Sequence, residues 1–232
     1  MSINRVALLV LIPLLFINIY SILDGVNWLR DISLGLVYLA LIIGYFKQID
    51  YSNFNLLAFF GLSLLAIIFN FFKQQFDLYW LIMFFQMVSY FFLSREAFKH
   101  TKREAANRIM VFFFVVLISS NIYFLYTHLR EMESHIQGLV EFSYFTLYYI
   151  NLIVLGIVGL MYYLNSYSRK SVFFIILVMA IIFSDVFRDM ASFYMSVKGV
   201  LVCESILRFF GVILAFRFFM LPEKKLRLIN LV

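Results

Sequence analysis

Hydrophobic residues form eight long runs along the chain, and short charged segments separate them. The runs lie approximately at Val6 to Leu23, Trp28 to Phe46, Phe54 to Phe72, Leu78 to Leu93, Arg108 to Tyr126, Gly138 to Tyr163, Val172 to Met190 and Gly199 to Met220. Most approach the roughly 20 residues that an α-helix needs to cross about 30 Å of hydrocarbon. The strands of a β-barrel would be shorter and would alternate in polarity. The pattern therefore predicts an all-α, polytopic transmembrane bundle of about eight membrane-spanning helices.

The composition supports this class, because 64% of the residues are hydrophobic, 14% are charged and the mean hydropathy is +0.95. Too little polar sequence is left to cover a soluble globule. The first run follows Arg5 as the core of a signal peptide would, but no small-x-small cleavage pattern comes before the next run. We therefore expect a retained helix, and residues 1–232 to form a single integral membrane domain.

Loops that are rich in lysine and arginine alternate with loops that are poor in them, and this alternation predicts the orientation of the protein in the membrane. With a cytoplasmic N-terminus, thirteen of these residues lie inside: Arg5, Lys47, Arg95, Lys99, Lys102, Arg103, Arg108, Arg169, Lys170, Arg217, Lys224, Lys225 and Arg227. Five lie outside: Arg30, Lys73, Arg130, Arg188 and Lys198. Arg208 falls within the last span. Both termini are therefore predicted to be cytoplasmic.

The net charge of +6 and the pI near 9.4 change this picture little. Basic residues that concentrate beside helix ends on one side are typical of contact with anionic lipid headgroups rather than with nucleic acid. We expect membrane lipids as partners, no nucleic acid, and partner proteins that the sequence does not identify. The single cysteine, Cys203, excludes an internal disulfide, and a small buried hydrophobe is its simplest interpretation.

A short internal similarity joins the third and seventh runs. Residues Ala66 to Asn70 read AIIFN, and Ala180 to Ser184 read AIIFS. Both runs cross in the same direction in the predicted topology, so a parallel repeat of four plus four helices is permitted.

Chemistry would have to come from polar groups within the spans, because each is costly in hydrocarbon unless it is paired or faces water. These groups fall in the outer half of the predicted topology: Asn70, Asp77, Asn121, Glu141, Asp185, Asp189, Glu204 and Arg208. They predict a polar pocket that opens outward, in which Asp77, Glu141, Asp189, Glu204 and Arg208 are candidates for substrate binding.

Several of these groups have a simpler structural interpretation. Glu204 and Arg208 are four residues apart, in the order that favours an intrahelical ion pair. Glu141 lies where it would complement the dipole at a helix N-terminus. Asp189 would lie at headgroup level, beside Arg188. Asp185 differs, because it is the deepest carboxylate of its helix and should be functional or paired.

Familiar metal and hydrolase motifs are absent from the sequence. His100, His128 and His135 all fall in predicted loops, so three histidines cannot form a zinc site inside the membrane. The sequence also lacks GxSxG, HExxH, a Walker loop and CxxC. No metal and no cofactor are therefore expected.

The segment Ile181 to Phe187, IIFSDVF, resembles the acidic motif in the penultimate helix of the YhhN/lysoplasmalogenase family. Members of that family are small proteins with eight spans, which this chain also matches in size and layout. A second family motif, Ser-Leu-x-Gly-Asp, would correspond to the stretch that begins at Ser63 and ends at Asn70, SLLAIIFN. The Gly-Asp pair is absent there, and Asn70 is its approximate positional substitute.

The resemblance implies hydrolysis of the vinyl-ether bond of lysoplasmalogens, or binding of a related lipid. Such hydrolysis needs a proton donor to carbon and a group that orients water. Asp185 is the candidate acid, and Asn70, Asp77, Asp189 and Glu204 are alternatives for its partner. Two other classes remain open. One is a small transporter or sensor that uses the acidic pocket, and the other is a non-catalytic subunit of a membrane complex.

Overall fold

The structure is a computed structural model that describes residues 5–46, 49–72, 79–101, 108–133, 138–166, 168–193 and 197–223. Its regular secondary structure is eight helices: α1 (Arg5–Asp24), α2 (Asn27–Tyr45), α3 (Phe54–Phe72), α4 (Tyr79–His100), α5 (Arg108–Glu133), α6 (Leu139–Ser166), α7 (Arg169–Phe193) and α8 (Lys198–Met220). The all-α class and the position of every predicted run are confirmed. α4 and α5 each extend seven residues beyond the predicted run, because polar residues can continue a helix past its apolar part.

Six of these helices contain stretches long and apolar enough to cross a membrane: Trp28–Tyr45, Phe54–Phe72, Phe112–Glu131, Leu139–Ser166, Arg169–Phe193 and Lys198–Met220. α1 contributes a shorter apolar stretch, Leu9–Asp24. α4 is less apolar because Gln86, Ser89 and Ser94 lie within it and Arg95 and Glu96 follow. The described helices thus form a helical membrane protein, with eight helices and six strong candidate spans.

Seven helices form a ring in the order α1, α2, α3, α4, α6, α7 and α8, and α8 closes the ring against α1 and also packs on α2. α5 lies outside this ring and packs against α6. Successive helices alternate in direction, as the contacts between their ends show. The start of α8 lies beside the end of α1, whereas the end of α4 lies beside the starts of α3 and α7. We call the two ends of the bundle the Asp189 end and the Glu96 end.

Aromatic side chains fill much of the interior. Phe60 of α3 packs on Phe216 of α8 with their ring centroids 4.0 Å apart, and Phe174 of α7 packs on Phe218 of α8 at 4.7 Å. Many large apolar side chains point outward instead, among them Phe16, Ile43 and Phe124. An exposed surface of this kind is unfavourable in water and suits contact with lipid chains.

The turn between α1 and α2 is built on Gly25, whose φ of +77° is readily adopted only by glycine. The N–H of Val26 bonds to the carbonyl oxygen of Ser21 at 2.8 Å, and that of Gly25 to Ile22 at 3.3 Å. This paired arrangement ends α1 in a Schellman motif. Because the turn is so short, α2 begins at Asn27, and Arg30 lies in its first turn facing the bundle.

Candidate functional site

Six charged side chains meet inside the Asp189 end of the bundle, and we call them the ionic cluster: Arg30 of α2, Asp185, Arg188 and Asp189 of α7, and Glu204 and Arg208 of α8. The three carboxylates are at most 1% exposed, whereas the arginine side chains are 18 to 24% exposed. Three positive and three negative groups balance. Mutual pairing is what allows so many charges to lie between apolar helices.

Asp185 is the centre of the cluster, because four donors from four helices reach its carboxylate. Its Oδ1 lies 3.1 Å from Nη1 of Arg188 and 3.3 Å from Nη2 of Arg208. Its Oδ2 accepts hydrogen bonds from the hydroxyls of Tyr148 at 2.6 Å and Tyr90 at 3.0 Å. α4, α6, α7 and α8 are thereby joined at one side chain.

Glu204 joins α8 to α2. Its Oε1 lies 2.7 Å from Nε of Arg208, which confirms the predicted pairing of these two residues. That contact is ionic rather than a hydrogen bond, since the Nε–H group is not aligned with the oxygen. Oε2 forms an ion pair with Arg30, a second partner that was predicted only as a charge on the outer side of the membrane. Replacing Glu204 would therefore leave Arg30 without its acid and Arg208 with Asp185 alone.

A chain of polar contacts runs from the cluster through α6 to α5. Nε of Arg188 donates to Oδ1 of Asp189 at 3.0 Å, and the hydroxyl of Tyr149 donates to Oδ2 of Asp189. On the other side, the Tyr149 hydroxyl lies 2.7 Å from Nε2 of His128. The ionic cluster thus reaches His128 of α5 through one intermediate residue, Tyr149.

Gln86 of α4 is a further member of this network. Its Oε1 accepts hydrogen bonds from Nη1 of Arg188 at 3.0 Å and from the hydroxyl of Tyr148 at 3.2 Å. One acceptor therefore holds both donors next to Asp185. The feature of the sequence that could have identified Gln86 is its position as a polar residue in the middle of an apolar run.

A cavity of about 60 Å³ adjoins the cluster between α2, α3, α4, α7 and α8. Its polar lining comprises Tyr38, Ser63, Gln86, Ser89, Tyr90, Ser184 and Arg208. A water molecule needs about 10 to 15 Å³ of such space and several polar partners, so the cavity has room for a few waters. Tyr90 and Arg208 both line the cavity and contact Asp185. Ser63 of α3 and Ser184 of α7 both line this cavity.

The predicted site residues are only partly brought together. Asp185, Asp189, Glu204 and Arg208 are in the ionic cluster. Asn70 is not, because its side-chain amide donates to Oδ1 of Asp31 at 2.6 Å and makes no hydrogen bond with Asp185 among the described contacts. Glu141 lies in the first turn of α6 and lines a shallow depression with Trp80 and Gly138. Asp77 lies outside the described residues.

A large groove of about 760 Å³ lies between α5, α6 and α7. Its walls are mainly aliphatic and aromatic, and include Phe113, Leu117, Ile153, Gly156, Met179 and Phe183. Its polar groups include Asn121, Thr127, His128, Glu131 and Tyr149. Volumes of about 300 to 1,000 Å³ are usual for small-molecule sites. Because His128 and Tyr149 line this groove, the polar chain described above connects it to the ionic cluster.

The prediction that His128 lies in a loop is wrong, because α5 continues to Glu133 and includes this residue. His100 is likewise the last residue of α4, and His135 lies outside the described residues. The described residues contain no group of three or more His, Cys, Asp or Glu side chains suited to a metal ion. Cys203 is exposed rather than buried, since it lies on the outer face of α8.

The Glu96 end of the bundle carries a separate polar group. The Glu96 carboxylate accepts hydrogen bonds from the amides of Asn55 at 2.7 Å and Asn53 at 3.1 Å, and Lys99 and His100 lie within 3.4 Å. Burial alone would raise the pKa of Glu96, but these donors outweigh it and hold the pKa well below its ordinary value. This arrangement fixes the end of α4 to the start of α3.

Comparison with known proteins found no matching family model, no similar curated protein and no similar solved structure. The class that the described fold defines is a helical membrane protein with a buried, charge-balanced polar site.

Proposed function

We propose that the protein binds a single-chain lipid at the Asp189 end of the bundle and, as its resemblance to the YhhN/lysoplasmalogenase family suggests, hydrolyses a vinyl-ether bond in it. The observation that carries the lipid part is the connection between the groove and the ionic cluster. An apolar groove of this size suits a hydrocarbon chain. Its link to the cluster, through His128, Tyr149 and Asp189, suits a polar headgroup.

The hydrolytic part rests on the cavity beside Asp185. In the reaction, a proton is added to one vinyl carbon, and water adds to the neighbouring oxocarbenium carbon. The resulting hemiacetal breaks down to an alcohol and an aldehyde. The cavity has space for the water, and Ser63, Ser184 and Gln86 offer it hydrogen bonds. Asp185 is ionised in the cluster, so it is the proposed group that first takes up a proton and then passes it towards the cavity through the Tyr90 hydroxyl, 3.0 Å away.

The topology belongs to the same proposal. Residues 1–232 would form one integral membrane domain in which all eight helices cross the membrane, with both termini in the cytoplasm. α1 and α4 would complete the spans by packing their polar groups against neighbouring helices, as Asn18 does with Ser33 at 2.6 Å. The parallel direction of α3 and α7 is consistent with a duplication of four plus four helices.

A non-catalytic membrane-complex subunit is the second candidate. The observation that favours it is the complete pairing of the ionic cluster, in which each charged group contacts an opposite charge. In that case the role of the cluster is purely structural, and it holds α2, α7 and α8 together. A small transporter or sensor would use the same residues, but no separate contact favours it.

A comparison of extracted lipids tests the proposed function. Cells with the wild-type protein should contain less lysoplasmalogen and more of its products than cells without it. In the Ile153→Trp variant the larger side chain fills the groove. Cells with this variant should have the same lipid profile as cells without the protein. Ile150→Trp is the matched control, because Ile150 lies on the same helix, is exposed and does not line the groove. Identical lipid profiles in all strains would contradict the proposal and favour the subunit.

A further inference from the structure

Two arginines converge on a small pocket at the Glu96 end, away from the ionic cluster. Arg169 begins α7, and Arg217 lies in the last turn of α8. The pocket has a volume of about 70 Å³ and is lined by Tyr45, Arg169, Phe173, Arg217, Met220 and Leu221. The start of α7 is fixed by reciprocal hydrogen bonds between Ser168 and Ser171, at 3.0 and 3.2 Å. The backbone that carries Arg169 is therefore well anchored.

These two arginines differ from those of the ionic cluster in having no acidic partner. Arg30, Arg188 and Arg208 each contact a carboxylate, whereas in the described part of the chain Arg169 and Arg217 form no ion pair. The contact recorded for Arg217 is with the ring of Phe173, whose centroid lies 5.6 Å from Cζ. Two guanidinium groups that line one pocket repel each other unless an anion lies between them.

The acidic groups that the structure describes at this end are already engaged elsewhere. Glu96 is surrounded by the side chains described above, and Glu223 accepts hydrogen bonds from Tyr162 and Ser166. Burial opposes ionisation of Glu223, but these hydroxyl donors hold its pKa below the ordinary value. The segments that follow α2 and α8, residues 47–48 and 224–232, contain no Asp or Glu. None of the acidic groups described at this end, which also include Asp50 bonded to Ser52, is paired with the two arginines, so their charge is available to an anion from outside the chain.

We propose that this pocket binds the phosphate group of an anionic ligand. Arginine forks match phosphate oxygens in geometry and in charge. At about 15 Å³ for each water-sized group, the pocket accommodates the oxygens of one phosphate. The proposed topology puts this end on the cytoplasmic side, where anionic lipids are enriched. A lipid headgroup is the expected source, and a free phosphate has the same chemistry. The proposal does not depend on the reaction at the Asp189 end.

The test measures thermal stability of the full-length protein in nanodiscs of phosphatidylcholine, alone or mixed with phosphatidylglycerol, and in detergent with added inorganic phosphate. Wild-type protein should be stabilised by phosphatidylglycerol. The Arg169→Gln/Arg217→Gln double variant should lose this shift, and titration with short-chain phosphatidylglycerol should show binding weakened by about tenfold or more. Arg95→Gln is the matched control, because Arg95 is an exposed arginine at the same end of the bundle. It should retain the wild-type shift.

The measurement in detergent with inorganic phosphate distinguishes a lipid headgroup from a free phosphate as the ligand. A shift with phosphatidylglycerol but not with inorganic phosphate supports a lipid site, and equal shifts that both need the two arginines support a free-phosphate site. An unchanged shift in the double variant would overturn the proposal. So would an equal loss in Arg95→Gln, since binding would then reflect the general positive charge of this end. If the double variant fails to fold, each single variant should show part of the loss.

Discussion

The hydroxyl of Tyr148 in α6 lies 2.6 Å from the Asp185 carboxylate in α7, and it is buried together with that carboxylate. This hydrogen bond fixes a fully buried acid of the ionic cluster to a helix that carries no charge at this depth. The Asp185 oxygen that receives it also accepts a hydrogen bond from Tyr90 of α4. Asp185 is therefore a structural junction as well as a candidate reactive group.

We predict that Tyr148→Phe lowers the free energy of unfolding by about 1 to 3 kcal/mol, because a buried carboxylate loses a donor. Unfolding in detergent, followed by circular dichroism, measures the change. Tyr144→Phe is the control, because Tyr144 lies one turn away on α6, is exposed and packs on Trp80 through its ring alone. Equal losses in the two variants would mean that the hydrogen bond contributes nothing specific.

Glu204→Ala should destabilise the protein by about 3 to 5 kcal/mol, because it leaves Arg30 and Arg208 without their shared acid inside the bundle. Glu141→Ala is the matched comparison. Glu141 lies in the first turn of α6, and its loss should cost less than about 1 kcal/mol through the helix dipole. Thermal transitions in detergent that coincide for the two variants would contradict the described position of α8.

The helices were predictable from the sequence because apolar runs of this length have few other stable forms. Glu204 and Arg208 were also predictable as a pair, since their spacing on one helix is fixed by its geometry. Arg30 was not, because its partner lies 174 residues away and only the packing of α2 against α8 brings the two together. The same holds for Asn70, which bonds to Asp31 rather than to the acids of α7.

His128 and Gln86 were missed for different reasons. His128 was assigned to a loop because hydropathy falls near the end of α5, although a helix can continue through polar residues at a membrane surface. Gln86 was given no role because a single amide within an apolar run has no motif around it. A polar residue at that depth needs a partner, and this rule would have identified it.

The topology gives a third prediction. A reporter fused after Val232 and another inserted after Thr101 should both report the cytoplasm, and one inserted near Ser134 should report the outside. The thirteen-to-five distribution of Lys and Arg is the reason. Ser134 itself lies outside the described residues, but α5 ends just before it, at the Asp189 end. A cytoplasmic signal at Ser134 would be incompatible with eight crossings.

Acid should weaken the Glu96 end of the bundle. The pKa of Glu96 in the folded protein lies below its ordinary value of 4.5, so its ionised form contributes stability that is fully present above pH 4.5. That contribution is lost as the pH falls from 4.5 towards the lower folded-state pKa. The stability difference between wild type and Glu96→Gln should therefore be largest above pH 4.5 and shrink below it. A difference that grows on acidification would show that the assigned hydrogen bonds are wrong.

Asp185→Asn most directly tests the proposed lipid hydrolysis. Purified wild-type protein should release an aldehyde from a lysoplasmalogen in a detergent that preserves the fold. Asp185→Asn should lose this activity by about 100-fold or more, since Asn cannot supply a proton. Asp50→Asn makes the same chemical change in an exposed turn at the other end and should retain full activity. A folded wild-type protein that releases no aldehyde, or an Asp185→Asn variant as active as wild type, would contradict the account.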